Sequence, residues 1–86
     1  MSIDELLPRH LRLLGFFAAT GAPNKELARI IGTNEQVVKN YMREIYDHTG
    51  LDNRAELMRM LLSNHILLER AQSAAAAFAA KQGKTI

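Results

Sequence analysis

The clearest pattern of apolar and polar positions lies in residues 34–49, NEQVVKNYMREIYDHT. Side chains recurring at steps of four, three and four fall on one side of an α-helix: Val38, Met42, Ile45 and Thr49. Four side chains that can donate hydrogen bonds fall on the opposite side: Gln36, Lys39, Asn40 and Arg43. Asn34 is a favourable N-cap, and Gly50 ends the helix. The pattern predicts an amphipathic helix whose outer face is a candidate for reading a DNA groove.

The preceding residues also have the pattern of helices, and no segment shows the sustained alternation that a half-buried strand requires. Pro8 suits the first turn of helix 1, which we expect to run to about residue 19. Helix 2 is expected over residues 24–32, burying Leu27, Ala28 and Ile31. Only a Gly-Thr-Asn link separates it from helix 3, so the two should cross sharply as a helix-turn-helix unit.

A fourth helix is predicted from residue 54, after a capping-box pattern formed by Asn53 and Glu56. If it is continuous to residue 82, it is roughly 40 Å long at about 1.5 Å per residue, longer than a three-helix core can cover. Its apolar residues also span too wide an arc for one stripe, so a symmetric partner is expected to cover the remainder. The expected homodimer contacts are Met58, Leu61, Leu62, His65 and Leu68.

These elements predict an all-α fold, a four-helix helix-turn-helix domain with a long C-terminal helix. We expect residues 1–7 to form an N-terminal arm, residues 8–69 the domain, and residues 70–86 an Ala-rich helical extension and tail. The Ala-rich segment has high helix propensity and little bulk, so it either extends the dimer contact or frays. A chain of 86 residues is too short for a second core.

Composition narrows the function classes only modestly. The net charge of +2 does not by itself imply a nucleic-acid partner, but residues 9–43 are basic and residues 44–69 acidic. The absence of cysteine excludes disulfides and thiolate zinc sites, and no metal or cofactor motif is present. No apolar run has membrane length and no signal pattern opens the chain, so we expect a cytoplasmic protein that is not an enzyme.

Several motifs occur in the order found in one family of DNA-binding domains. Residues 24–41, NKELARIIGTNEQVVKNY, resemble the core of the LuxR/GerE-type helix-turn-helix domain of bacterial transcription regulators. That family opens helix 2 with Asn-Lys-Glu-Ile-Ala and carries Thr-Val-Lys-Asn-His in its reading helix. The matching residues are Asn24, Lys25, Glu26, Leu27, Ala28, Val38, Lys39 and Asn40, with further matches at Leu6, Pro8, Arg9, Gly50, Leu51, Arg54 and Glu56. The resemblance extends over about residues 6–68.

The resemblance implies that helix 3 enters the major groove of double-stranded DNA and that helix 4 forms the dimer. The receiver or ligand-binding domain that usually accompanies this domain has no room here, so a stand-alone effector is expected. Pro23 replaces the Ser that caps helix 2, leaving that role to Asn24 or the turn backbone. His10 replaces a Glu, and Tyr41 replaces the His of the reading helix. These departures leave room for altered DNA specificity.

The leading candidates for DNA contact are Lys39, Asn40 and Arg43, because Lys and Arg reach guanine acceptors and Asn pairs bidentately with adenine. A solvated helix face is the ordinary alternative. Gln36 and Asn34 are included in the same DNA-binding set.

Two basic residues outside helix 3 are candidate phosphate contacts. Lys25 lies at the N-terminus of helix 2, where a cation and backbone N–H groups suit a phosphate, with plain solvation as the alternative. Arg54 either holds a phosphate or pairs with Glu44 or Asp47.

The sequence therefore predicts a sequence-specific transcription regulator that binds double-stranded DNA as a homodimer. The alternative is a protein–protein module that sequesters or recruits another regulator through helix 4. A third possibility is a sigma-factor-like domain that recognises promoters as part of an RNA polymerase complex.

Overall fold

The computed structural model describes residues 5–82, which contain five α-helices joined by short links. They are α1 (Pro8–Thr20), α2 (Asn24–Ile31), α3 (Glu35–Thr49), α4 (Arg54–Ser63) and α5 (His65–Lys81). These residues contain no strand, so the prediction of an all-α fold is confirmed for them. Residues 1–4 of the predicted arm and residues 83–86 of the predicted tail lie outside the described residues.

The short link between α2 and α3 is closed by backbone hydrogen bonds at Gly32. This glycine has φ of 76°, a left-handed conformation that side chains with a Cβ rarely adopt. Its N–H donates to the carbonyl oxygen of Arg29 (3.3 Å), and the N–H of Thr33 donates to that of Ala28 (2.9 Å). This pair of bonds is the Schellman ending of a helix, and it turns the chain into α3 within three residues.

Helix α1 lies at the centre of the fold and packs against each of the other four helices. Its most extensive partner is α5, which approaches closely at Gly15. A Cβ built on Gly15 would lie 2.7 Å from the Cβ of Ala75 and even closer to the carbonyl oxygen of Ala71. The absence of a side chain at Gly15 therefore permits the backbones of α1 and α5 to meet. The core also contains fully buried residues from all five helices, among them Leu13, Leu14, Leu27, Ile45, Leu57, Leu61 and Leu67.

The prediction of one continuous fourth helix over residues 54–82 is wrong. Asn64 interrupts it with an extended backbone (φ −116°, ψ 93°), and its side chain accepts a hydrogen bond from the N–H of Leu67 at 3.0 Å. Asn is an unfavourable residue inside a helix and a strong N-cap, so it ends α4 and begins α5. A helix of roughly 40 Å would also exceed the longest dimension of the described chain, 34 Å.

The Ala-rich segment is part of α5 as far as Lys81, and one side of it is buried in the core. Ala71, Ala75 and Ala79 recur every four residues on α5 and are buried. The predicted domain boundary between residues 69 and 70 therefore falls inside α5. Leu6, placed in the predicted arm, is likewise buried, with 5% of its surface exposed. The folded unit is thus larger than residues 8–69 on both sides.

Candidate nucleic-acid interface

Helix α3 presents one face to the core and the other to solvent. Asn34 caps it, since its side-chain oxygen accepts from the N–H of Val37 at 3.0 Å, and Gly50 ends it at φ of 76°. Val38, Met42 and Ile45 are buried against α1 and α2. The predicted caps and inner stripe of this helix are confirmed, apart from Thr49, which is half-buried.

The four side chains predicted for the outer face of α3 are all exposed: Gln36, Lys39, Asn40 and Arg43. We call this set the outer face of α3. Gln36 donates from Nε2 to Oδ1 of Asn40 at 3.2 Å, so these two amides lie side by side one turn apart. Arg43 has no ion pair or hydrogen bond to another side chain within residues 5–82.

Lys39 has a weak ion pair on the same helix. Its Nζ lies 3.9 Å from Oε2 of Glu35, and both side chains are about half exposed (55% and 49%). An exposed pair at this spacing contributes only about 0.3–0.5 kcal/mol, so an anionic ligand can replace Glu35 at little cost. Lys39 and Arg43 are therefore both free to bind a partner.

Two other candidates, Lys25 and Asn34, lie at the N-terminal ends of α2 and α3. Lys25 is exposed in the first turn of α2, whose N-cap is Pro23 and makes no side-chain capping bond. Of the two alternatives for the cap, Asn24 or the turn backbone, the first is wrong, because the Asn24 side chain accepts from Arg54 instead. Asn34 is exposed, but capping already occupies its side-chain oxygen. Its amide N–H₂ group is what remains for a ligand.

Arg54 is held at the start of α4 by three contacts with the preceding part of the chain. Its Nη1 donates to Oδ1 of Asn24 at 2.8 Å, and its Nη2 donates to the carbonyl oxygen of Ala22. The guanidinium carbon lies 4.8 Å from the centre of the Phe17 ring, which is cation–π distance. The alternative pairing of Arg54 with Glu44 or Asp47 is therefore wrong. The planar guanidinium is fixed in one orientation and fastens α4 to the start of α2.

A cleft of about 310 Å³ lies between the start of α2, the outer side of α3 and the start of α4. We call it the basic cleft, and its lining residues are Asn24, Lys39, Met42, Arg43, Tyr46 and Arg54. Three of the six carry positive charge and none is acidic. Burial raises the pKa of Tyr46, with a smaller rise from Asp52 that Arg54 opposes. The Tyr46 phenol therefore stays a neutral O–H donor at physiological pH.

A second polar cluster, which sequence reasoning missed, joins α1 to α3. Nδ1 of the buried His10 accepts from the N–H of Leu7 at 3.0 Å, so the ring proton lies on Nε2. Nε2 then donates to Oε1 of Glu44 at 2.7 Å, and Nε of Arg9 approaches the same oxygen at 3.4 Å. The hydrogen bond from His10 is the largest cause that lowers the pKa of Glu44, partial burial opposes it, and Arg9 lowers the pKa further.

The residues predicted for the dimer interface differ in burial. Leu61 is fully buried in the core and is unavailable to a partner, so this assignment is wrong. The bend at Asn64 allows α5 to pack onto α1, and α4 contacts both of these helices. Met58 and Leu68 are half-buried, whereas Leu62 (59%) and His65 are exposed. Ile66, 73% exposed, was not predicted and lies beside the bend.

Two further observations concern other kinds of site. Residues 5–82 bring together no group of three or more His, Asp and Glu side chains able to hold a metal ion. Within the same residues, no helix combines the length and apolar character needed to cross a bilayer.

Comparison of the chain with known protein families, with curated proteins and with solved structures gives no match.

Proposed function

We propose that this protein is a sequence-specific DNA-binding transcription regulator that acts as a homodimer and inserts α3 into the major groove. The observation that carries the proposal is the outer face of α3, where four exposed hydrogen-bonding side chains lie opposite a buried stripe. A major groove about 12 Å wide admits one α-helix with its side chains. The resemblance of residues 24–41 to LuxR/GerE-type domains supports the same interpretation.

Each side chain of the outer face has a role in this proposal. Lys39 and Arg43 contact guanine acceptors or phosphates, and Asn40 pairs with adenine. The hydrogen bond from Gln36 to Asn40 leaves the N–H₂ group of Asn40 and the oxygen of Gln36 for base edges. Lys25 and Asn34 contribute phosphate contacts that set the register of α3 on the duplex.

The homodimer of this proposal forms around the bend between α4 and α5. Leu62 and Ile66 are the most exposed large apolar residues there, and they lie four positions apart on the two sides of Asn64. Covering both would remove apolar surface from water. A two-fold symmetric dimer carries two copies of α3, so the proposal predicts a palindromic or pseudo-palindromic site.

The test is a salt-controlled binding titration with a duplex selected from fragments of the host genome. Lys39→Ala and Arg43→Ala should each weaken binding by about 1–3 kcal/mol without unfolding the protein. Arg59→Ala is the matched control, because Arg59 is an exposed α4 arginine whose ion pair is with Glu56 of the same helix. Unchanged affinity in both α3 variants would refute the assignment of α3 as the reading helix.

The second candidate function is a protein–protein module that binds another transcription regulator or RNA polymerase through α4. Leu62 near the end of α4 and Ile66 at the start of α5 favour it, because exposed large apolar side chains are candidate parts of an interaction surface. DNA retention that falls steeply with salt supports the first function. A salt-insensitive complex with a protein partner, without DNA retention, supports the second.

A further inference from the structure

We propose that the basic cleft binds a single phosphate group, with the DNA backbone as its source. Identifying that source rests on the proposed function, whereas phosphate binding in the cleft is measurable without DNA. The cleft unites residues from three helices that are distant in sequence: Asn24 on α2, Lys39 and Arg43 on α3, and Arg54 on α4.

Charge is the first reason for assigning a phosphate. Three cations line the cleft and no carboxylate does. Arg43 has no ion-pair partner in residues 5–82, and Lys39 has only the weak pair with Glu35. Like charges gathered around one concavity repel each other, and an anion between them relieves that repulsion.

Hydrogen-bonding geometry is the second reason. A guanidinium group carries five N–H donors, and Asn24 and Ala22 occupy two of those of Arg54. The other three remain on a group already held by two hydrogen bonds and by its cation–π contact with Phe17. Fixed, planar arginine donors are well suited to phosphate oxygens. Tyr46 also lines the cleft, and its neutral hydroxyl is able to donate one more hydrogen bond.

The size and position of the cleft are the third reason. Its volume of about 310 Å³ is about ten times the 30 Å³ that a water molecule occupies in the liquid. That space admits a hydrated phosphate or a stretch of sugar–phosphate backbone, but not a helix. Since Lys39 and Arg43 belong both to the cleft and to the outer face of α3, a backbone phosphate in the cleft would lie next to a groove occupied by α3.

The first arm of the test is an NMR titration of the full chain with inorganic phosphate, against sodium chloride at equal ionic strength. We expect saturable shifts at the amides of Arg43, Tyr46 and Arg54. Tyr46→Phe keeps the ring and removes one donor, so the dissociation constant should rise about fivefold. Arg54→Gln should abolish saturation, and Arg59→Gln should leave it unchanged.

The second arm measures the salt dependence of duplex binding, using only variants whose thermal unfolding is cooperative. Each phosphate contact contributes about 0.9 to the slope of log K against log salt concentration, so Arg54→Gln should reduce the slope by about one. Arg59→Gln should not. If Arg54→Gln fails to fold, Arg43→Gln replaces it.

The two arms separate the possible failures. Saturable phosphate binding without DNA binding would retain the cleft and refute the proposed function, making a soluble phosphorylated ligand the source. DNA binding with unaltered slopes, together with no saturation by phosphate, would overturn the cleft assignment and leave the proposed function standing. If the protein binds neither, both proposals are overturned.

Discussion

Replacing Gly15 with alanine tests whether α5 is an integral part of the domain. The new Cβ would lie 2.7 Å from the Cβ of Ala75 and 2.9 Å from the carbonyl carbon of Ala71, with the Ala71 oxygen closer still. Two of these atoms belong to the backbone of α5, so a change of rotamer cannot relieve the overlap. The helices must separate, and every contact along their pairing weakens.

The expected loss of stability follows from two opposing effects. Overpacking a close-packed core costs about 1–3 kcal/mol, and backbone overlap places Gly15→Ala at the upper end of that range. Alanine is better than glycine in a helix by about 1 kcal/mol, which offsets part of this cost. The net destabilisation should therefore be about 2 kcal/mol. For a domain of this size it lowers the Tm by about 8–16 °C.

Thermal and urea unfolding followed by circular dichroism measure this difference. Ala76→Gly is the matched control, because Ala76 is exposed on α5 and its replacement lowers helix propensity without adding bulk between α1 and α5. It should cost about 1 kcal/mol. If Gly15→Ala leaves stability unchanged or increases it, α1 and α5 do not pack as closely as the structure has them.

Two further predictions concern the bend and the α1–α3 link. Leu61→Ala should cost about 2–5 kcal/mol because Leu61 is fully buried, whereas Leu62→Ala, measured at concentrations where the protein is monomeric, should change the unfolding free energy by less than about 0.5 kcal/mol. Equal losses in urea melts would contradict the position of the bend. Glu44→Gln should cost about 1 kcal/mol at pH 7, since Glu44 is partly exposed and loses one charged hydrogen bond from His10. Folding lowers the pKa of Glu44. The stabilisation that Glu44→Gln removes is therefore fully present above the unfolded pKa of about 4.3, and it disappears as pH falls through the lower pKa of the folded state. A variant that stays weaker by the same amount at pH 2–3 would refute this cause.

The features predicted well from the sequence are those determined by a few neighbouring residues. Asn34 and Asn53 cap α3 and α4, and Gly32 and Gly50 end α2 and α3, because capping depends on local side chains and on positive φ. The inner stripe of α3 follows from helical periodicity in the same way. These local rules were enough to locate α3 and to predict which of its side chains are exposed.

The bend at Asn64 illustrates what local rules do not decide. Asparagine inside a helix costs only about 0.7 kcal/mol or less relative to alanine, so the sequence alone is compatible with a continuous helix. Burying Ala71, Ala75 and Ala79 against α1 favours the bent form, and that contact joins residues more than fifty positions apart. Gly15, the one internal glycine of α1, is the signal that a close helix partner was required.

The polar contacts of the candidate site were hard to predict for a similar reason. Arg54 reaches Asn24 thirty positions away, and His10 reaches Glu44 thirty-four positions away. Such pairings depend on how whole helices are arranged. His10 carried a hint nevertheless, because it occupies the third helical position, where a capping-box side chain reaches back to the N-cap N–H.

Gly15 and His10 lie on different sides of α1, so the contact of α1 with α5 is distinct from its contact with α3. Five residues at about 100° each place them about 140° apart around the helix, so α5 and Glu44 of α3 contact different sides of α1. Moving α5 away through Gly15→Ala should therefore lower the Tm without disturbing the His10–Glu44 bond or the outer face of α3. At temperatures and concentrations where the variant remains folded and dimeric, it should bind a selected duplex within about twofold of the unaltered protein, because an exposed α3 face keeps its contacts. If DNA affinity falls in parallel with stability, α5 controls the position of α3, and α1 does not isolate the two helices from each other.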